Sequence, residues 1–296
     1  MLYVKENLQK YFAQNDYWLL PVMKASFAFL CFFTVNLHIH LGSMFANPLF
    51  SLVAALLCSF LPTSAIPVFG GLLILGALYK TSMELLVSSA ILFLLFALMQ
   101  NVFKARYAIL IAAMPLAFYL HLPFLIPIIA GLSLGLASIV PVAIGTVVYY
   151  YLTYLAQASP SVSTKDIAEM ANAYADFFTK FFSDRTMVAF AVALTAAVLI
   201  VFIIRSIGFD YDWIVALLAG VLTEFIALFV SAKILNVSVS WGNEILSGVL
   251  ALILGFIYVI LFHAANYEAT ERLQFEDDDY YYYVKAVPKF KADQPS

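Results

Sequence analysis

Apolar residues run along this chain in long blocks separated by short polar breaks. Ten blocks stand at 20–37, 47–62, 66–79, 82–103, 106–120, 123–137, 139–158, 187–206, 211–232 and 245–265. A helix needs roughly 20 mostly apolar residues to cross about 30 Å of hydrocarbon. The pattern therefore predicts an all-α polytopic transmembrane bundle of about ten spans. Blocks 66–79 and 123–137 are short for a full crossing, which leaves open whether they span or dip in and return. The first eighteen residues are polar, and the block after them has no small-residue cleavage site, so that block is read as a retained helix behind a cytoplasmic or interfacial segment, 1–18.

The blocks fall into a membrane domain at 19–158 and a three-helix membrane segment at 187–265, joined by the longest polar break, 159–186. Within that break Ile167, Met170, Tyr174, Phe177, Phe178 and Phe181 recur at intervals of three and four residues. The stripe predicts an extracytoplasmic amphipathic helix lying in the interface plane. An ordinary connector whose aromatic face packs on neighbouring spans would carry the same stripe. A shift of sixty residues lays LPTSAIPVFGGLL (61–73) over HLPFLIPIIAGLS (121–133), matching Pro67 to Pro127 and Gly71 to Gly131. Each copy is the middle segment of a three-helix group, 47–103 and 106–158, and three is odd, so the second group would be inverted in the membrane. Secondary transporters use such inverted repeats, with Pro/Gly-interrupted segments at the binding site. Chance pairing of Ile-Pro and Gly, both common in membrane helices, is the alternative.

Composition sharpens the class. Of 296 residues 64% are hydrophobic and 11% charged, with a mean hydropathy of +0.96, whereas soluble domains run near half apolar and a quarter charged. Cys31 and Cys58 fall inside blocks at no metal-binding spacing and are read as small apolar fillers. The net charge of −3 comes from the tail and gives nucleic-acid binding no support. Lys5, Lys10, Lys104, Arg106, Arg205 and Arg272 share one side when ten spans are counted from an internal N-terminus. Such residues collect in cytoplasmic loops, so the reading is a multi-pass protein of the cell membrane with both termini cytoplasmic.

Few residues carry chemistry. Glu224 stands near the centre of its block, where a carboxylate is costly enough to need a partner, a cavity or a proton path. Gly220, one turn before it, and Thr223 beside it would let a helix or solute approach. The alternative is a Glu bonded to a Tyr or Ser of a neighbouring helix to fix packing. Lys24 and Glu84 lie near segment ends and are expected to snorkel toward the headgroups. His38, His40 and His121 lack a fourth ligand at suitable spacing, so no metal site is expected. No Walker, glycine-fingerprint, HExxH or GxSxG motif occurs, which points to no cofactor and no enzyme.

The tail, 266–296, holds an acidic run from Glu276 to Asp279 and then Tyr280, Tyr281, Tyr282, Tyr283 and Val284. A charge run is usually solvated chain, but four tyrosines and a valine favour extended backbone. Residues 280–287 are thus a candidate strand to add to the sheet edge of a cytoplasmic partner, or an aromatic segment lying back on the membrane. The segment RLQFEDDDYYYYVKAVPK (272–289), with LLCSFLP (56–62) and VVYYYLTY (147–154), resembles a family of uncharacterised multi-spanning membrane proteins of anaerobic Gram-positive bacteria. The resemblance implies a cytoplasmic-membrane setting and supplies no catalytic residues.

Two functions fit these readings. The first is a small-solute permease, or a membrane component of one, with its site between Pro67/Gly71, Pro127/Gly131 and Glu224. The second is an envelope scaffold or assembly protein whose tail recruits a cytoplasmic partner. Either allows a homo-oligomer in the bilayer.

Overall fold

A computed structural model describes residues 2–39, 47–81, 83–102, 105–158, 175, 177–263, 271–277 and 279–286. Among them ten α-helices follow the apolar blocks closely: α1 (Leu2–Ile39), α2 (Pro48–Phe60), α3 (Ala65–Thr81), α4 (Met83–Val102), α5 (Ala105–Tyr119), α6 (Leu125–Ser133), α7 (Ile139–Ala158), α8 (Arg185–Ile207), α9 (Asp212–Leu235) and α10 (Trp241–Phe262). Local chemistry sets several ends. Asn47 caps α2, its side chain accepting from the Leu49 amide, and Pro48 follows at the first helical position, where its missing N–H is no loss. Asp184 caps α8 by accepting from the Thr186 and Met187 amides, and Gly208, at φ 71°, ends that helix in the left-handed region.

Four features depart from the sequence-based expectation. Residues 2–18 are helical and continue into the first span, with a break at Asn15, whose backbone leaves helical geometry. The Asn15 amide donates to the Tyr11 carbonyl oxygen and its oxygen accepts from the Trp18 indole, so side-chain bonds bracket the kink.

Second, among the described residues five helices are by length and composition long and apolar enough to cross a bilayer, Lys10–His38, Leu136–Gln157, Phe177–Ile207, Asp212–Leu235 and Trp241–Phe262, while the apolar helices Pro48–Phe60, Ala65–Tyr79, Leu85–Leu98 and Arg106–Tyr119 are shorter. Their exposed apolar surfaces are compatible with a membrane protein. On α9, Leu218, Leu222, Ile226 and Phe229 stand exposed, opposite a buried face of Leu217, Gly220, Val221, Glu224 and Leu228. Both faces are apolar, as expected where one meets protein and the other lipid.

Third, segment 123–137 holds only the nine-residue α6 and a 3-10 turn at Leu136–Ser138. Nine residues rise about 14 Å, half of a hydrocarbon core. The segment nevertheless does not turn back on itself. Gly145 of α7 lies on Leu110 and Met114 of α5, and Tyr149 stacks on Phe118, so α5 and α7 run parallel and α6 returns the chain between their ends. Its irregular backbone is covered by protein, Pro127, Ile128, Ala130, Gly131 and Leu132 all being buried, which is the condition for such backbone at membrane depth.

Fourth, the tail folds on itself. Strands β1 (Glu271–Glu276) and β2 (Tyr281–Ala286) form an antiparallel hairpin with Phe275 opposite Tyr282 and Leu273 opposite Val284. The acidic run builds its turn: Asp277 accepts from the Asp279 and Tyr280 amides and from the Tyr282 hydroxyl at 2.9 Å. Those donors, the Tyr282 hydroxyl first, hold the Asp277 carboxyl below its usual range.

α8 and α9 form the most extensive helix pair. Ala189, Ala193 and Ala197 on α8 and Ala216 and Gly220 on α9 give the small-residue seams that let helices approach in a membrane. The interhelical contacts also sort the helix ends. Tyr107 donates to the Leu134 carbonyl oxygen, Ser133 bonds Tyr258 and reaches His263, and Gly135 rests on Phe202. The Arg106, Arg205 and His263 ends of α5, α8 and α10 therefore gather at one end of the bundle. At the other end Arg185 donates to the Leu235 carbonyl oxygen.

Most of the 159–186 connector lies outside the described residues, including Ile167, Met170 and Tyr174. Of its aromatic stripe, Phe177 and Phe181 are buried against Tyr151, edge to face. That part of the stripe packs on the neighbouring helix.

Candidate functional site

α9 places its residues 213, 217, 220, 224 and 228 on one inward face, the 3.6-residue period of a helix. Glu224 is consequently 0% exposed at mid-helix, and neither carboxyl oxygen has a hydrogen-bond partner among the described residues. Gly220, one turn earlier, makes this depth accessible to its neighbours. A Cβ there would stand 2.6 Å from Val201 on α8 and 3.2 Å from Ile128 on α6. Gly131 of α6 is wedged against the same Val201, at 2.8 Å. Gly131 and Gly220 thus meet across one side chain, and Pro127 lies buried one turn from Gly131. Thr223 is half-buried and its hydroxyl donates to the Ala219 carbonyl oxygen of its own helix, so it takes no part in the site.

α10 runs antiparallel to α9, since Gly248 meets Phe225 and Gly255 meets Leu217. Glu244 therefore lies one turn nearer than Ser247 and Gly248 to the end of the bundle where Arg185 meets Leu235. The second acid, Glu244, lies within electrostatic reach of Glu224 and of Tyr149 and Tyr150 on α7. Ser247 shares the Glu244 face three residues on. Its hydroxyl is buried without a partner among the described residues, as is one oxygen of Glu244. Glu244 and Ser247 on one face of α10 and Glu224 at the middle of α9 thus lie on packed helices, with Tyr149 of α7 within electrostatic reach of Glu244. Buried polar groups in proteins are nearly always paired. Glu224 and one oxygen of Glu244, buried carboxyl groups without partners among the described residues, can accept and pass a proton. Glu244 was not legible as part of this site because α10 starts before the apolar run that marks it, at Trp241.

The other Pro/Gly segment lies elsewhere. Ile66 of α3 packs with Leu116 and Ala112 of α5, whereas α6 packs in a second cluster with Leu110, Met114 and Phe118 of the same helix. Positions 112 and 116 and positions 110, 114 and 118 occupy opposite faces of α5, so α5 divides Pro67/Gly71 from Pro127/Gly131. Pro67 and Gly71 therefore do not meet Pro127, Gly131 and Glu224 at one place. The three-helix groups also pack differently: α5 and α7 lie directly against each other, while α4 packs on α3.

Pro67 and Gly71 line a partly open cavity of about 110 Å³ among α1, α3, α4, α5 and α7. Its polar side chains are Ser89 and Tyr151, hydrogen-bonded to each other, and Cys31, whose thiol faces the Ala112 carbonyl oxygen at 3.8 Å. Cys31 and Cys58 are buried free thiols.

The remaining candidates are dispersed. His38 stacks on Tyr119 at 3.9 Å and its Nδ1 meets the Thr34 carbonyl oxygen. His121 holds a left-handed backbone, φ 57°, and His40 lies outside the described residues. No group of three His, Cys, Asp or Glu side chains that could hold a metal occurs among the described residues. Lys24 is half-buried in α1, and the Glu84 side chain lies outside the described residues. Tyr280, Tyr281, Tyr282 and Tyr283 are exposed on the hairpin, and β2 pairs first with its own chain. No protein family, no curated protein and no solved structure matches this chain.

Proposed function

We propose that this chain is a proton-coupled permease for a small solute, a multi-pass protein of the cytoplasmic membrane with both termini on the cytoplasmic side. The observation that supports it is Glu224, a fully buried carboxyl without a hydrogen-bond partner among the described residues and within reach of Glu244. A carboxylate at that depth costs a few kcal/mol even on lenient insertion scales, and packing alone would be better served by an apolar side chain. Tyr149, Glu244 and Ser247 supply steps from the outer end to Glu224. The gathering of the Arg106 and Arg205 ends supports the orientation. Reporters fused after Arg106 and after His263 should read cytoplasmic, and one after Asp184 external; the opposite pattern removes this topology.

The coupling test uses the purified protein in liposomes loaded with a pH-sensitive dye and a panel of zwitterionic and apolar solutes. Wild type should admit protons when one solute is added. Glu224→Gln, which keeps the shape but cannot titrate, should reduce that flux at least tenfold while the protein still inserts and folds. Unchanged flux in Glu224→Gln would sink the coupling role. The scaffold reading rests on a different observation, the hairpin, whose two strands each keep one edge unpaired and could take a partner's strand.

A further inference from the structure

The cavity lined by Pro67 and Gly71 stands apart from the buried carboxyl groups, across α5. Every polar side chain in its wall is already engaged: Ser89 with Tyr151, and the Cys31 thiol toward the Ala112 carbonyl oxygen. None of the unpartnered buried polar atoms of the described residues belongs to the lining. A guest carrying a hydroxyl, amide or charge would lose its own hydrogen bonds on entry and find none in return. The size narrows the choice further. An apolar cavity of about 150 Å³ accepts one benzene, so about 110 Å³ suits a slender segment of a longer molecule. The cavity is partly open, and the helices around it present apolar side chains to the outside, among them Leu72 on α3 and Ile91, Leu94 and Leu95 on α4. Such apolar flanks suit entry from the hydrocarbon of a bilayer rather than from water.

We propose that this cavity binds one unbranched hydrocarbon chain, the tail of a membrane phospholipid or of a free fatty acid. Gly70 sets the room for it. A Cβ at Gly70 would meet the Phe32 ring at an ordinary 3.5 Å, so the backbone accepts a side chain that extends over the cavity floor. At Gly71 a Cβ would stand 2.2 Å from the Phe93 ring, so Phe93 closes on that glycine and forms one wall. The two segments that share the Ile-Pro and Gly pattern thus serve different ends: in α6 the glycine seats a neighbouring helix, in α3 it admits the ring that shapes a cavity.

The test is photo-crosslinking of the full-length protein in phosphatidylglycerol nanodiscs. One arm carries a phosphatidylcholine with a diazirine at the end of one acyl chain, the other a diazirine analogue of palmitic acid. Adducts on the peptides around Cys31, Gly70 and Leu92 should exceed those on the outward faces of α9 and α10 at least fivefold in one arm or both. The arm that labels identifies the source of the chain. Gly70→Leu, or the milder Ala112→Leu, should lower the cavity adducts at least fivefold and leave the outward ones unchanged. Should neither variant fold, saturation in the wild type decides: cavity adducts level off as the probe fraction rises, while outward adducts rise in proportion. Cavity adducts that match the outward ones in both arms, that persist in a folded filling variant, or that rise in proportion without levelling would overturn the proposal.

Discussion

Ser89 and Glu224 are both polar, both buried, and treated in opposite ways. Ser89 and Tyr151 close on each other and leave the surrounding wall apolar. Glu224, Ser247 and one oxygen of Glu244 are brought to neighbouring depths and left without hydrogen-bond partners among the described residues. An unmade buried hydrogen bond costs about 1–3 kcal/mol, so the first arrangement serves packing and the second works against it. A dry wall with satisfied groups suits an apolar guest. Unpartnered carboxyls suit a proton that arrives and leaves.

The largest expected effect separates the two Pro/Gly segments. Gly131→Leu must displace Val201 and press on the Val198 carbonyl oxygen, 3.1 Å away, which is backbone and cannot swing aside. It should cost about 3 kcal/mol, the upper end for overpacking, read as a lower midpoint in denaturant titration of the purified protein. Gly70→Ala meets only ordinary contact with Phe32 and should stay within about 0.5 kcal/mol of wild type. Equal losses at both positions would mean that α3 and α6 are packed alike after all.

A smaller effect, distinguished by its sign, separates the two polar sites. Ser89→Ala removes the hydrogen bond between Ser89 and the Tyr151 hydroxyl and should destabilise by about 1 kcal/mol, near the upper range for hydrogen bonds between membrane helices. Glu224→Leu removes a desolvated carboxyl that has no hydrogen-bond partner among the described residues to strand, and should stabilise by about 1 kcal/mol. Destabilisation by Glu224→Leu comparable to that by Ser89→Ala would make Glu224 a structural pin and remove the contrast.

Much of the helical content was legible because apolar runs and their caps are local. The boundaries of α2, α8 and α9 follow Asn47-Pro48, Asp184 with Gly208, and the left-handed Asn236 at φ 53°, all features of neighbouring residues. Glu224 was legible as well, since a lone carboxylate within an apolar block stands out at any depth. Its companions were not. Ser247 is one of many serines, Tyr149 and Tyr150 belong to an aromatic run, and Glu244 precedes the apolar run of its helix. The tail's strand tendency was readable in four tyrosines and a valine, and its pairing with β1 of the same chain was not, because Asp277 turns the acidic run back through three hydrogen bonds that depend on the whole turn.

By itself, the sequence determined that the chain is helical, apolar outside as well as inside, and marked by one mid-helix acid. Tertiary structure alone decided which faces meet: Gly131 with Gly220 across Val201, Gly71 with Phe93, Glu244 above Glu224. The reason lies in the solvent. A helix in water must turn its apolar stripe inward, and the stripe is readable. Between lipid and protein the choice of face leaves almost no hydrophobic signature, because Leu222 and Ile226 toward the outside are as apolar as Leu217 and Leu228 toward the core. What orients the helices is close packing at small residues and the placing of the few polar groups, and both are properties of pairs of segments distant in the chain.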